Sequence, residues 1–156
     1  MQEFETPNAL GSVASFHKTF QHPVLDKPQI PSPDRSSLRV SLLAEELREL
    51  QEAIADNDLT EVADALCDLQ YVLAGAILEF GMGNQFQALF DEVHRSNMSK
   101  ACNTEAEAKE TIAHYEQQGT PCYFEEKEGK FLVYRTSDGK TLKSIGYSPA
   151  QLRELL

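Results

Sequence analysis

Six carboxylates at helical spacing are the residues in this sequence best placed to do chemistry. Glu45, Glu46 and Glu49 crowd one turn and a half of a segment in which Leu43, Leu47, Leu50 and Ile54 recur with the period of a helix. Glu46 and Glu49, three apart, project from one face with Glu45 beside them. Glu61, Asp64 and Asp68 follow in a run made otherwise of Ala, Val, Leu and Cys. In that second run Val62, Ala65, Leu66, Leu69, Val72, Leu73, Ala76, Ile77 and Phe80 share a broad apolar face, with Glu61, Asp64, Asp68, Tyr71 and Gly75 on another. So apolar a helix is expected to be packed on most sides. Acids on its inward line would then be desolvated, at several kcal/mol per ion unless a partner compensates. No Lys or Arg lies between Gln51 and Glu92, so a divalent cation is the natural compensator. An all-oxygen cage from Glu46, Glu49, Glu61 and Asp64 suits Mg²⁺ or Mn²⁺ rather than zinc. Acid pairs on helices are ordinarily solvated faces; the apolar setting of Glu61 and Asp64 turns the reading toward a metal.

These acids need two helices to position them. Residues 38–80 read as a pair joined by a polar break at residues 55–59, and so short a link favours antiparallel packing, with Glu46 and Glu49 facing Glu61 and Asp64. Before the pair, residues 10–20 make a short helix with Val13, Phe16, His17 and Phe20 along one side. A connector with Pro23, Pro28, Pro31 and Pro33 follows, and Asp34 or Ser36 is the expected cap of the next helix, with Arg35 and Arg39 near its start. Gly75 inside the acidic helix implies close approach of a neighbour.

A further helix over residues 85–100 carries Phe86, Leu89, Phe90 and Val93, and the same line continues onto Asn97 and Lys100. Asn97 offers a donor and an acceptor, and Lys100 a mobile charge; Arg95 is the next candidate, on a different side. Cations also collect at helix C-termini to suit the dipole. Thr104 and Glu107 form a capping-box pattern for a helix through residue 116. CYFEE, KFLVYR and TLKSI then read as three short strands, and Ser148–Pro149 opens a last short helix to Leu156. The expected fold is mainly α: a four-to-five-helix bundle over residues 9–118 and a small C-terminal β-meander with a short helix over residues 119–156.

The chain has 156 residues, of which 41% are hydrophobic and 25% charged, enough for one principal domain. A net charge of −11 argues against a nucleic-acid or anionic-membrane surface. Cys67, Cys102 and Cys122 are odd in number and widely spaced, which favours a reducing compartment over a disulfide framework. With no signal-peptide pattern at the start and the apolar run broken by acids, a cytoplasmic protein with no membrane partner is expected. No GxSxG elbow or phosphate-binding GxxxxGK[ST] loop occurs, and His17, His22, His94 and His114 lack metal spacing.

EExxE at Glu45, Glu46 and Glu49, followed by ExxD at Glu61 and Asp64, resembles the signature of the all-α NTP pyrophosphohydrolases. These are the MazG-like and phosphoribosyl-ATP pyrophosphohydrolase-like proteins, to which the dimeric dUTPases are related. FHKTF at residues 16–20, with its Pro-rich loop, and DEVHRSNMSK at residues 91–100 resemble flanking segments of one MazG-like subgroup, so that the likeness covers roughly residues 12–101. The resemblance implies a MazG-like bundle in which Mg²⁺ ions are held by Glu46, Glu49, Glu61 and Asp64. Glu45 either orients or deprotonates the attacking water or sits beside the ligands, and Asp68 ligates or steadies a ligand. Phe16 and His17 wall a nucleobase pocket, and Asn97, Lys100 and Arg95 meet the rest of the substrate. The implied reaction is hydrolysis of a nucleoside triphosphate between its α- and β-phosphates, with dUTP or dCTP the leading substrate in a nucleotide-pool cleaning role. Phosphoribosyl-ATP is the alternative substrate, and a non-catalytic helical nucleotide-binding or oligomerisation module the alternative class. Too few helices are present to bury every apolar face, so a homo-oligomer is expected, a dimer or dimer of dimers, with Gly75 and Tyr71 near the contact.

Overall fold

A computed structural model describes residues 4–156 of the protein. It contains α1 (Ala9–Phe20), α2 (Pro33–Ala55), α3 (Leu59–Glu79), α4 (Phe86–Met98), α5 (Glu105–Gln117), β1 (Cys122–Lys127), β2 (Lys130–Arg135) and a 3-10 turn at Leu152–Glu154. The mainly helical class read from the sequence is the one observed. The chain gathers into two compact units, one ending at Phe86 and the other spanning residues 87–155. The division falls before α4, whereas the sequence expectation put it after α5. The reason lies in what α5 packs against: Cys102, Ala108, Val133 and Leu142 form one buried cluster, flanked by Ile112, Tyr115, Phe124 and Phe131.

In the first unit, α1 starts where the Asn8 side chain accepts the Gly11 amide at 3.2 Å. It packs on α3 through Val13, Ala74 and Leu78, with Leu10 and Ala14 around them. α2 begins one turn earlier than expected. Pro33 after Ser32 supplies a pre-set first turn, and no side chain caps it, so neither Asp34 nor Ser36 serves as the cap. α2 and α3 are joined by Asp56–Asp58, with Asn57 in the left-handed region at φ 53°. Asp58 caps α3 by accepting the Thr60 and Glu61 amides at 2.9 and 3.2 Å. Three residues leave room only for an antiparallel return. The Pro-rich connector runs back along the end of α3, where the Leu25 amide donates to the Leu78 carbonyl and the Gln29 amide to that of Phe80, both at 3.0 Å. Gly81 is required there: its φ is +70°, and a Cβ would stand 1.9 Å from the Lys27 carbonyl oxygen.

The second unit confirms the capping box. Thr104 accepts the Glu107 amide at 3.1 Å and Glu107 accepts the Asn103 amide at 2.8 Å. The expected three-strand meander is instead a two-stranded antiparallel hairpin, with Phe124 opposite Val133. TLKSI contributes a single bridge, Thr141 to Tyr134. Its pairing stops because Ser144 turns away to bond the Lys100 carbonyl at 3.2 Å. The expected last helix is only a 3-10 turn, since the backbone before it is bonded outward: the Pro149 carbonyl to Arg95 and the Gln151 amide to Glu92.

Candidate active site

The acids of α2 and α3 lie along one side of the helical hairpin. On α2, Leu38, Leu42, Glu45 and Glu49 follow one another at three- and four-residue steps, with Glu46 beside Glu45; on α3, Asp64, Asp68, Tyr71 and Gly75 do the same. Glu46 is half-buried, whereas Glu45, Glu49, Glu61, Asp64 and Asp68 are exposed. The expectation that the α3 acids are desolvated is therefore not met within one chain, because α1 covers only the end of α3 near Ala74 and Leu78. What the structure does bring together is charge. The Glu46 carboxyl is pushed above the ordinary glutamate range, first by burial and then by Asp68, Glu49, Glu45 and Asp64. Glu61, one turn nearer the link, is not among those charges.

The cations of the chain leave this cluster alone. Among the described residues, no ion pair involves Glu45, Glu46, Glu49, Glu61, Asp64 or Asp68. Nor, as the side chains stand, do three His, Cys, Asp or Glu groups of the described residues converge closely enough to hold a metal ion. The two observations agree once range is considered, since like-charge repulsion acts over several ångströms while Mg²⁺ needs oxygens at roughly 2.1 Å. The donor chemistry fits a hard divalent ion, with carboxylate oxygens on facing helices and one carboxyl already under repulsion. Closing the cage requires rotation of exposed side chains, at the cost of the rotamer freedom they have in solvent.

One turn along the same side lies a cavity of about 230 Å³, walled by Val13, Phe16, His17, His22, Leu38, Arg39, Leu42, Tyr71 and Val72. Phe16 stacks on His22 with ring centroids 5.9 Å apart and meets Tyr71 edge-on at 5.7 Å. Phe16 and Phe20 are exposed rather than core, while Val13 and His17 are buried. His17 Nδ1 lies 2.8 Å from the Pro23 carbonyl, which can only accept, so Nδ1 carries the proton and Nε2 faces Arg39 Nη2 at 3.4 Å as the acceptor. Burial is the main reason the His17 pKa falls below its ordinary value, and Arg39 adds to the effect. His17 is therefore a neutral wall of the cavity.

The sequence reading missed the buried ion cluster beneath this cavity. Glu79 is 1% exposed and is held by Arg39 and by Arg35, whose Nε lies 3.1 Å from Glu79 Oε2. Burial pushes the Glu79 carboxyl up, but the bonds from Arg39 and Arg35 outweigh it and leave the pKa lowered. Gly75 belongs to this cluster. A Cβ there would stand 2.7 Å from Arg39 Nη1 and 3.1 Å from His17 Nε2, so the close approach it permits within the chain is that of Arg39. The available signal was an Arg pair four residues apart at a helix start, matched to a Glu at the far end of the apolar helix that returns beside it.

In the second unit, Asn97 and Lys100 are paired, the Lys100 ammonium donating to Asn97 Oδ1 at 2.7 Å. Arg95 is bonded to Glu92, Ser148 and Pro149.

A family model described as phosphoribosyl-ATP pyrophosphohydrolase matches residues 13–97, which takes in most of α1, the whole acidic hairpin and most of α4. An uncharacterized protein of Acanthamoeba polyphaga mimivirus is 24% identical, over 93% of this chain and 94% of its own length. With the hairpin, its acids and the α1 wall all inside the matched region, the chain belongs to the phosphoribosyl-ATP pyrophosphohydrolase family, the pyrophosphohydrolases of the MazG-like superfamily.

Proposed function

We propose that the protein hydrolyses a nucleoside triphosphate to the monophosphate and pyrophosphate, with a pyrimidine deoxynucleotide such as dUTP or dCTP as substrate and Mg²⁺ as the metal. The observation that carries this reading is the crowding of uncompensated carboxylates around Glu46, one helical turn from an aromatic-walled cavity. In it, Glu46, Glu49, Glu61 and Asp64 hold the metal, with Asp68 beside them, and the bound cation supplies neutralisation of phosphate charge and an activated water. Glu45, exposed next to Glu46, is the group assigned to orient that water or accept its proton. Phe16 and Tyr71 give a ring an edge and a face to rest on, and neutral His17 keeps a second cation away from the base. A cavity of about 230 Å³ lies below the usual range for drug-sized ligands and favours a one-ring base. Asn97 and Lys100 are assigned to the sugar and phosphates. The name of the matching family supports phosphoribosyl-ATP as the second reading.

The test is pyrophosphate release from dUTP, dCTP, the other nucleoside triphosphates and phosphoribosyl-ATP with Mg²⁺. The preferred substrate decides between the two readings. Glu49→Gln and Asp64→Asn are expected to lose on the order of a hundredfold or more in rate while keeping their helical content. Full turnover in both variants would remove the site assignment, and a wild-type chain inert on the whole panel would favour the non-catalytic module.

The proposed assembly is a homodimer through the side of the hairpin away from the acids. Val40, Leu47 and Ile54 on α2 and Leu59, Leu66 and Leu73 on α3 recur every seven residues, and all six are between 43% and 81% exposed. Each α2 residue is as far from the link as one α3 residue, so the six form a double row. Between them stand Leu43, Ala44, Gln51, Val62, Ala63, Leu69 and Gln70, none of them charged. In a chain of net charge −11, a neutral apolar face is where an identical copy docks with least repulsion.

A further inference from the structure

The last two turns of α4 have two faces with different attachments. Glu92, Arg95, Ser96 and Ser99 share one face, and each is bonded to segment 144–151. Arg95 grips Glu92 through Nε at 2.7 Å and Nη2 at 2.8 Å. It also donates from Nη1 to Ser148 Oγ and from Nη2 to the Pro149 carbonyl, both at 3.1 Å. Glu92 accepts the Gln151 amide at 2.8 Å, Ser99 Oγ accepts the Ser148 amide at 2.9 Å, and Ser96 Oγ meets the Tyr147 hydroxyl at 3.1 Å. On the other face Asn97 and Lys100 bond to each other.

A helix end leaves carbonyls without intrahelical donors, and α4 ends at Met98. Here the Ser99, Lys100 and Ala101 amides reach those of Arg95, Asn97 and Met98, the Ser99 hydroxyl reaches that of Ser96, and segment 144–151 bonds the two carbonyls that follow the helix. The Ser144 hydroxyl donates to the Ser99 carbonyl at 3.1 Å, and the Ser144 amide donates to the Lys100 carbonyl at 3.2 Å. The backbone that carries Lys100 is thus held by a segment about forty-five positions further along the chain, and Arg95 and Ser99 each make two bonds to that segment's outer end, Arg95 alone reaching Pro149.

We infer that Arg95 is a positioning residue and not a substrate contact: it latches segment 144–151 onto α4, and that segment fixes the backbone from which the Asn97–Lys100 pair meets phosphate. The part concerning phosphate rests on the reading of function above; the latch itself does not. Four of the five guanidinium N–H groups are already committed to protein acceptors, so phosphate would have to displace them. A Lys at 95 would keep the positive charge but lose the fork that bridges Glu92 to Ser148 and Pro149.

The experiment uses the full chain with Arg95→Ala, Arg95→Lys, Lys100→Ala and the Arg95→Ala/Lys100→Ala double variant, and two readouts. In hydrogen exchange, the amides of Ser144, Ser148 and Gln151 are expected to exchange about tenfold faster in both Arg95 variants, with helical content unchanged. In pyrophosphate release, KM is expected to rise about fivefold in both while kcat changes less than about twofold, and Arg95→Ala is expected to add nothing once Lys100 is gone. Rescue of KM by Arg95→Lys, or a further KM rise in the double variant, would make Arg95 a direct substrate contact. Unchanged exchange in Arg95→Ala would remove the latch. A wild-type chain that releases no pyrophosphate would fail the functional reading and the phosphate part with it, while exchange would still decide the latch.

Discussion

Glu46 and Glu79 are both glutamates on the facing helices of one hairpin, and their surroundings push them in opposite directions. Burial, and after it the charges of Asp68, Glu49, Glu45 and Asp64, raise the pKa of Glu46. A glutamate with a raised folded pKa is destabilising once ionised: the stability it contributes when protonated is lost as pH rises through its folded value. At neutral pH without metal, Glu46→Gln is therefore expected to melt at the same temperature as wild type or slightly above it. With Mg²⁺ in excess the order is expected to reverse. Wild type gains about 2.7 kcal/mol at a hundred times the dissociation constant, and the variant gains much less. Thermal melts in EDTA and in Mg²⁺ check both halves; equal stabilisation of the two proteins would show that Glu46 is no ligand.

Glu79 has the reverse sign. Its lowered pKa contributes stability above the ordinary glutamate range, lost as pH falls through its folded value. His17, lowered from 6.5, adds an earlier acid limb, because the unfolded histidine takes up a proton below that pH while the buried one resists it. Unfolding free energy is thus expected to begin falling below about pH 6.5, and His17→Gln to lose that part of the slope. A slope unchanged in His17→Gln would exclude His17 as its source.

At the scale of the helical hairpin, the two ends do different jobs. Near the link, small buried residues, Ala53 on α2 and Ala65 on α3, let the helices approach, and the acids spread along one side. At the far end the seam is polar, with Arg39 lying in the space that Gly75 leaves open. Gly75→Ala is expected to destabilise by about 1–3 kcal/mol, since the methyl must move a guanidinium tied to a buried carboxylate. Arg39→Met is expected to cost about 3 kcal/mol by leaving Glu79 with Arg35 alone. Chemical denaturation measures both. A neutral Gly75→Ala would mean that Arg39 is free to swing aside. Because this cluster floors the aromatic cavity, both changes are also expected to raise KM.

For the whole molecule, the prediction concerns the double row of apolar side chains on the side of the hairpin away from the acids. Leu47→Glu and Leu66→Glu place a charge at the middle of that row and are expected to convert a dimer to a monomer by light scattering at micromolar concentration, with helix content kept. A wild-type monomer under those conditions would dispose of the dimer. No helix of the described residues is long and apolar enough to cross a membrane.

The sequence by itself determined the five helices and the two strands of the hairpin. Helical period, the two-residue-step strands, Thr104 with Glu107, and the glycine break after Phe80 are local signals, and local backbone physics decides them. It also determined the family, because EExxE and ExxD are spacings along helices and survive without knowledge of packing. Tertiary structure decided the partners. The absence of Lys and Arg between Gln51 and Glu92 suggested that no cation reaches the acids of α3, yet the antiparallel return of the hairpin brings Arg35 and Arg39 onto Glu79. The same return half-buries Glu46 within reach of the charges of Asp68, Glu49, Glu45 and Asp64. Arg95 likewise looked free for substrate in a sequence where Ser148 and Pro149 lie more than fifty residues away. Charge compensation acts through space over a few ångströms, and only the folded chain fixes which residues come within that distance.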